Sequence, residues 1–268
     1  MKIHCLLTIG EDRIDSGLNM IASALEDGVH VHVAWRFTPP NHGIKSSSLH
    51  EMSIGPASLS VARNILLRSL AENPEVSNAD VVCLGDDDGE WSSGSASRIQ
   101  EVFRGGLPWA LGLYTPKNQP PDAKRFPPTP EELTVRQLCD RASSLGIYVT
   151  VQTLSKVGSF DERLGVGTSL PIGEDTDYAL RLRKQTGRAP YRPQLQQFHA
   201  YSAGGRPSYR LVPSLQFLIY QSKRNPILVL SAFSTLLLCL RMGYVPRTQL
   251  IKKIGQALCM RHPGSHEK

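Results

Sequence analysis

The run Val81-Val82-Cys83-Leu84, cut off by Gly85 and followed by Asp86-Asp87-Asp88-Gly89, constrains this chain more than any other stretch. Four apolar residues, two of them β-branched, describe a short strand covered on both faces, as in the middle of a parallel sheet. Three adjacent carboxylates repel one another and cannot be buried bare, so a positive group belongs beside them. Two readings follow. One is a divalent cation held by oxygen ligands at the carboxyl end of a central strand. The other is an acidic surface turn punctuated by glycine.

The flanking sequence supplies the rest of a sheet. Ile3 to Ile9 reads as a first strand, and Ile14, Leu18, Ile21 and Leu25 then recur at helical spacing up to Asp27-Gly28. In Val29 to Trp35 the apolar Val29, Val31, Val33 and Trp35 share one face, with His30 and His32 on the other. Those histidines are expected to face solvent, with metal ligation the lesser alternative because no third ligand lies nearby. Thr38 to Ser60 reads as loop, Val61 to Ala71 as a helix capped by Ser60, Ser95 to Phe103 as a helix and Trp109 to Tyr114 as a strand. This alternation predicts an α/β fold with a mostly parallel central sheet and helices on both faces. Ligands then bind beyond the carboxyl ends of the strands, where the aspartates sit. The proline-rich segment Thr115 to Pro130 is expected to be a long loop, Glu131 to Ser144 a helix and Ile147 to Val151 a strand.

At 268 residues the chain can bury a substantial core. Its five cysteines are odd in number, scattered and never spaced Cys-x-x-Cys, which points away from a disulfide framework or zinc knuckle and toward a reducing, cytoplasmic compartment. Met1 leads directly into a strand-like run, so no secretory leader is expected. The net charge of +6 is unevenly placed: residues 211–268 carry eight Lys/Arg against one acid, while the other 210 residues are almost neutral. A neutral body with a basic tail is not the pattern of a nucleic-acid-binding domain.

A second acidic constellation lies far along the chain. A glycine-rich approach, Val157 to Gly167, precedes Gly173-Glu174-Asp175-Thr176-Asp177, and a helix should run from Glu174 to about Gln185 before Gly187. Acids in a first helical turn are stabilised by the macrodipole and free amides, and are expected to stay ionised. A rigidly held carboxylate is what a general base near neutral pH requires. The plainer alternative is a helix terminus carrying favourable charge.

Several features, in this order, resemble family 2 glycosyltransferases of the GT-A fold over roughly residues 1–210. They are Arg63-Asn64 on a helix, the hydrophobic run into Asp86-x-Asp88, Val157-Gly-x-Phe160-Asp161-Glu162, Gly173-Glu174-Asp175-Thr176-Asp177, and Pro193 to His199. The resemblance implies a nucleotide-sugar donor, Mn²⁺ or Mg²⁺, and inversion at the anomeric carbon by direct displacement. By position, Asp86 and Asp88 match the metal-holding pair, with His199 matching a histidine that completes the metal site in some relatives. Asp87, between the metal-holding pair, is the residue free to contact the donor ribose or sugar instead. Asp175 matches the base that deprotonates an acceptor hydroxyl, and Glu174 a residue contacting or orienting the acceptor. Arg63 is either a donor contact or a helix-surface arginine. Trp91 either stacks on the acceptor sugar or packs in the core.

Two departures leave the donor base open among UDP, GDP and dTDP. Val33-Ala34-Trp35-Arg36 stands where the family has an acid, and Thr8-Ile9-Gly10-Glu11-Asp12 where Pro-x-Tyr-Asn is usual. Two other classes compete: a nucleotidyltransferase, which should carry a glycine-rich basic phosphate loop that is not seen near the first strand, and a non-catalytic sugar- or nucleotide-binding relative.

Residues 211–268 form a separate C-terminal helical appendage in this reading. Pro226 to Leu240 is apolar but, at ~1.5 Å per residue, about 22 Å long, short of the ~30 Å hydrocarbon core. Leu250, Ile251, Ile254 and Leu258 then form a stripe beside Lys252, Lys253 and Arg261. The tail is expected either to lie on an anionic membrane surface, placing the protein peripherally on the inner face with a glycan, lipid-linked or small-molecule acceptor, or to pack on the catalytic domain.

Overall fold

The computed structural model describes residues 1–116, 120–199, 207–242 and 247–260. Strands β1 (Ile3–Ile9), β2 (His30–Trp35) and β3 (Leu49–Ser53) alternate with helices α1 (Ile14–Glu26) and α2 (Leu59–Glu72). The acid-ended run forms β4 (Val81–Asp86), followed by the short β5 (Gly89–Glu90), α3 (Ser95–Phe103) and β6 (Trp109–Pro116). Then come β7 (Glu131–Glu132), α4 (Val135–Arg141), β8 (Ile147–Thr150), α5 (Val151–Val157), α6 (Glu174–Thr186) and β9 (Pro190–His199). Helices α7 (Pro207–Ser222), α8 (Leu228–Met242) and α9 (Arg247–Cys259) complete the described chain.

Among the described residues the strands form one nine-stranded sheet in the order β3-β2-β1-β4-β8-β6-β9-β5, with β7 paired to β9. The expected parallel arrangement holds from β3 to β4. Beyond β4 it is corrected: β8 is antiparallel to both β4 and β6, and β9 is parallel to β6 but antiparallel to β5 and β7. The cause is the connection into β8. Only α4 and a 3-10 turn at Ser144–Gly146 separate β7 from it, and the chain re-enters the sheet beside β4 in the opposite sense.

Strand alternation divides the core. Leu6, Val82 and Leu84 point toward Leu66 and Leu70 of α2 and Tyr178 and Leu182 of α6. Cys5, Leu7, Val81 and Cys83 point toward Met20 and Ile21 of α1 and Ile99 and Phe103 of α3. Both faces of β1 and β4 are therefore covered, as their mostly apolar composition requires.

Several boundaries differ from expectation. Strand β3 was hidden in an expected loop because its residues, Leu49-His50-Glu51-Met52-Ser53, suit a half-exposed edge. Helix α2 starts at Leu59 with Ser58 as its cap, since the Ser60 hydroxyl is committed to the Leu164 carbonyl at 2.7 Å. The helix expected over Glu131 to Ser144 shrinks to α4, its first residues recruited as β7. His30 and His32 do not both face solvent: His32 is buried, with His4 Nδ1 3.0 Å from its Nε2, and its ring stacks on His50. All five cysteines are free thiols.

The boundary expected at 210/211 falls inside α7, and α7 docks on the body. Its Gln221 donates to Asp177 at 2.7 Å and its Tyr220 hydroxyl to Asp161 at 2.5 Å. Among the described residues no helix is long and apolar enough to cross a membrane. Arg261 of the expected stripe lies outside the described residues.

Candidate active site at the carboxyl end of the fourth strand

Strand β1 lies between β2 and β4, so chain connections leave it in opposite directions and open a crevice beyond the carboxyl ends of β1 and β4. Thr8 and Asp86 are register partners at this edge. The Gly10 amide, just past β1, donates to Asp87 Oδ2 at 2.9 Å. Burial, with the charges of Asp86 and Asp88 adding to it, pushes the Asp87 carboxyl up to about 6 against that hydrogen bond.

The positive group required by three adjacent acids is Arg63. Its side chain is 1% exposed, yet its guanidinium reaches both acidic constellations: Nη2 donates to Asp86 Oδ1 at 2.9 Å and Nη1 to Asp175 Oδ1 at 2.7 Å, with Glu174 Oε1 3.6 Å away. Burial opposes the charge on Arg63, but the three carboxylates more than offset it and hold the guanidinium above its usual range. The Ser144 hydroxyl donates to the other oxygen of Asp86 at 2.6 Å. Even so, burial keeps Asp86 above the ordinary carboxylate range.

Asn64, the neighbour of Arg63 on α2, secures the loop that carries the second constellation. Its amide donates to the Phe160 carbonyl at 3.0 Å and to Glu162 at 2.9 Å, and its oxygen accepts from the Phe160 amide at 2.7 Å. Phe160 stacks on Tyr178 of α6 at 4.2 Å between ring centroids. The loop and the start of α6 are thus fastened to one turn of α2.

Gly173 caps α6 with φ +92, and a Cβ there would lie 2.2 Å from Phe217 of α7. Only glycine lets the chain turn into α6 under that ring. Glu174 is buried and Asp175 half-buried. The expectation that both acids stay ionised is corrected for Glu174: burial, and next the charge of Asp175, push it up to about 8.

Asp86, Asp88 and His199 each offer a ligand atom, all within 4.8 Å of one another. His199 reaches this place because β5 pairs with β9, setting Gly89 opposite it. His199 Nε2 lies 3.2 Å from Asp88 Oδ1, and Arg13 Nη1 3.9 Å from Asp88 Oδ2. Burial raises Asp88, but the His199 bond and charge and the Arg13 charge outweigh it and hold the carboxyl below its usual range. Two carboxylates and an imidazole form a donor set suited to Mn²⁺ and, less well, to Mg²⁺. Even with Glu174 protonated, Asp86, Asp87, Asp88 and Asp175 outnumber the nearby Arg13 and Arg63, leaving negative charge for a dication to balance.

The structure therefore gathers Arg63, Asp86, Asp87, Asp88, Glu174, Asp175 and His199 around one crevice. Two expectations are corrected. Trp91 is 2% exposed, packed among α1 and α3 residues with its Nε1 donating to Asp27 at 2.8 Å, so it does not offer a face to an acceptor. Arg63 is not a helix-surface arginine: it is buried, and its two terminal nitrogens donate to Asp86 and Asp175. Ser144, Gly10 and Arg13 went unnoticed in the sequence. Only the sheet order, which puts the turn before β8 beside the end of β4, brings Ser144 to Asp86.

No protein-family model matches this chain, and no curated protein matches it. The class defined by the structure is an α/β fold with an acidic crevice at the strand carboxyl ends.

Proposed function

We propose that the chain is a metal-dependent, inverting glycosyltransferase of the GT-A type, moving a sugar from a nucleotide-sugar donor to a hydroxyl acceptor. The observation that carries this reading is the Arg63 bridge. A metal-suited cluster, Asp86-Asp88-His199, and a candidate base, Asp175, are held side by side by the two terminal nitrogens of one buried guanidinium, Nη2 on Asp86 and Nη1 on Asp175. Displacement at an anomeric carbon needs those two functions on opposite sides of the reacting centre. The crevice between β1 and β4 supports a nucleotide ligand by its position at a reversal of strand order.

Asp86, Asp88 and His199 would hold Mn²⁺ or Mg²⁺, which when bound neutralises charge developing on the diphosphate leaving group. Asp175 accepts the proton of the acceptor hydroxyl. The acceptor oxygen forms a bond to the anomeric carbon as the bond to the diphosphate oxygen breaks, and that electron pair leaves with the nucleoside diphosphate. Arg63 fixes the orientation of Asp175 through Oδ1, and Oδ2 is the oxygen proposed to take the acceptor proton. Glu174, raised to about 8, is protonated near neutral pH and able to donate a hydrogen bond to an acceptor oxygen.

The test is a panel of UDP-, GDP- and dTDP-sugars incubated with purified protein, with and without Mn²⁺, following nucleotide release and thermal stabilisation. Metal-dependent stabilisation and release with one donor supports the proposal. Stabilisation by nucleoside triphosphates with pyrophosphate release would instead indicate nucleotidyl transfer.

A further inference from the structure

Helix α8 packs Ala232 and Cys239 inward against Val212 and Leu215 of α7 and Leu250 of α9. Its other side is open and almost wholly apolar. Val229, Leu230, Phe233, Leu237, Leu238 and Leu240 are all exposed, Leu230 by 74%, and Ser234, the polar residue among them, returns its hydroxyl to the Leu230 carbonyl. Exposed leucines and a phenylalanine at consecutive turns of one helix form a continuous patch of the kind that marks an interaction surface. On α9, Ile251 (69% exposed) and Leu258 lie along one side, two turns apart, with the exposed Lys252 and Lys253 farther round the same helix.

We infer that this face docks on an anionic lipid bilayer, lying in the plane of the membrane. Charge complementarity selects that occupant. Residues 207–260 contain seven Lys/Arg and no acid, so the apolar patch sits in a segment of one sign. A second copy of the chain would set the same positive charge against itself, whereas anionic headgroups attract each nearby lysine or arginine. Length agrees: α8 has 15 residues, about 22 Å at ~1.5 Å each, too short to cross and long enough to lie along the headgroup boundary. The patch is also firmly attached to the body, because α7, on which α8 rests, is bonded to Asp161 and Asp177.

Flotation of the full chain with vesicles tests this without reference to catalysis. The protein should rise with vesicles containing about one-third phosphatidylglycerol and stay behind with pure phosphatidylcholine, and high salt should weaken binding. Replacing Leu230→Glu together with Phe233→Glu on the open face should lower the bound fraction at least about tenfold while leaving the thermal midpoint unchanged. A second variant, Lys252→Glu with Lys253→Glu, should reduce binding to anionic vesicles and its salt dependence. The inference fails if the parent does not float with anionic vesicles, or if the apolar-face variant floats as well as the parent. It also fails if light scattering shows a dimer that this variant splits while vesicle binding is absent.

Discussion

Arg63 donates Nη1 to Asp175 at 2.7 Å, a contact between residues 112 apart in sequence, and through Nη2 the same guanidinium holds Asp86 at 2.9 Å. One buried cation therefore compensates two acidic constellations that would repel each other across the crevice. Arg63→Ala should destabilise the fold by about 3–5 kcal/mol, because it strands buried carboxylates without a partner. Arg63→Lys should recover part of that loss, since one ammonium cannot present the planar fork that serves both acids. Urea unfolding of the three proteins checks this, and equal midpoints for Arg63→Ala and the parent would refute the bridge.

The metal cluster leads to a separate expectation. Asp88→Ala removes the acid that links His199 and Arg13 and should weaken metal-dependent donor binding by about tenfold or more, a loss of at least ~1.4 kcal/mol. Calorimetric titration of donor with Mn²⁺ and with chelator measures it. Unchanged affinity in both conditions would remove Asp88 from the metal site.

Trp91 should behave as a core residue. Its indole N–H and the amides of Gly94 and Ala96 converge on Asp27, which thereby satisfies the start of α3. Trp91→Phe should cost about 1–3 kcal/mol of stability, through one lost hydrogen bond to Asp27 and a smaller ring. Transfer measured well below the melting temperature should change less than about twofold. A selective rise in acceptor KM would restore a sugar-stacking role.

What was legible in the sequence followed local periodicity. Ile3 to Ile9 is read to the residue and the helix around Ser95 to Phe103 is placed correctly, because apolar spacing and flanking breakers act within one element. Asp86 to Asp88 and Glu174-Asp175 stand out because several acids together are unusual beside apolar runs. Their meeting is tertiary: it depends on α2 delivering Arg63 between them, and no local pattern marks an arginine as buried. The antiparallel β8 and the strand β9, which carries prolines at 190 and 193, are likewise set by where the chain re-enters the sheet. Trp91 shows the converse. Its place beside the aspartates suggests a ligand contact, and only Asp27, 64 residues earlier, shows which way the ring turns.

The histidines of β1 to β3 set the acid limit. Burial first, then the neighbouring His4 and His50, push His32 down to about 3. An unfolded histidine protonates near pH ~6.5, so as pH falls below that value the unfolded state takes up the proton first and stability declines. At about pH 5 the His32 contribution alone amounts to ~2 kcal/mol. Burial lowers His4 as well, with Asp80 opposing, which adds to the same trend. Chemical denaturation between about pH 7.5 and pH 5 should show this loss, and His32→Gln should flatten it. An unaltered slope in His32→Gln would place the acid sensitivity elsewhere.

Asp175→Asn separates binding from chemistry. The amide keeps the size and the oxygen that accepts from Arg63, and Arg63 retains Asp86 as its charged partner, so the crevice should keep its shape. Asp86, Asp88 and His199 are untouched, so metal-dependent donor affinity should stay within about twofold, under ~0.5 kcal/mol. What disappears is an oxygen basic enough to take the acceptor proton, and loss of a positioned base typically costs about 10²–10⁴ in rate. Transfer at saturating donor should fall by that factor, while slow donor hydrolysis, which needs no acceptor, falls less. Equal transfer by Asp175→Asn and the parent would move the base elsewhere. Loss of donor binding along with transfer would mean that the Arg63 bridge holds the donor pocket open, which the Arg63→Lys protein would show independently.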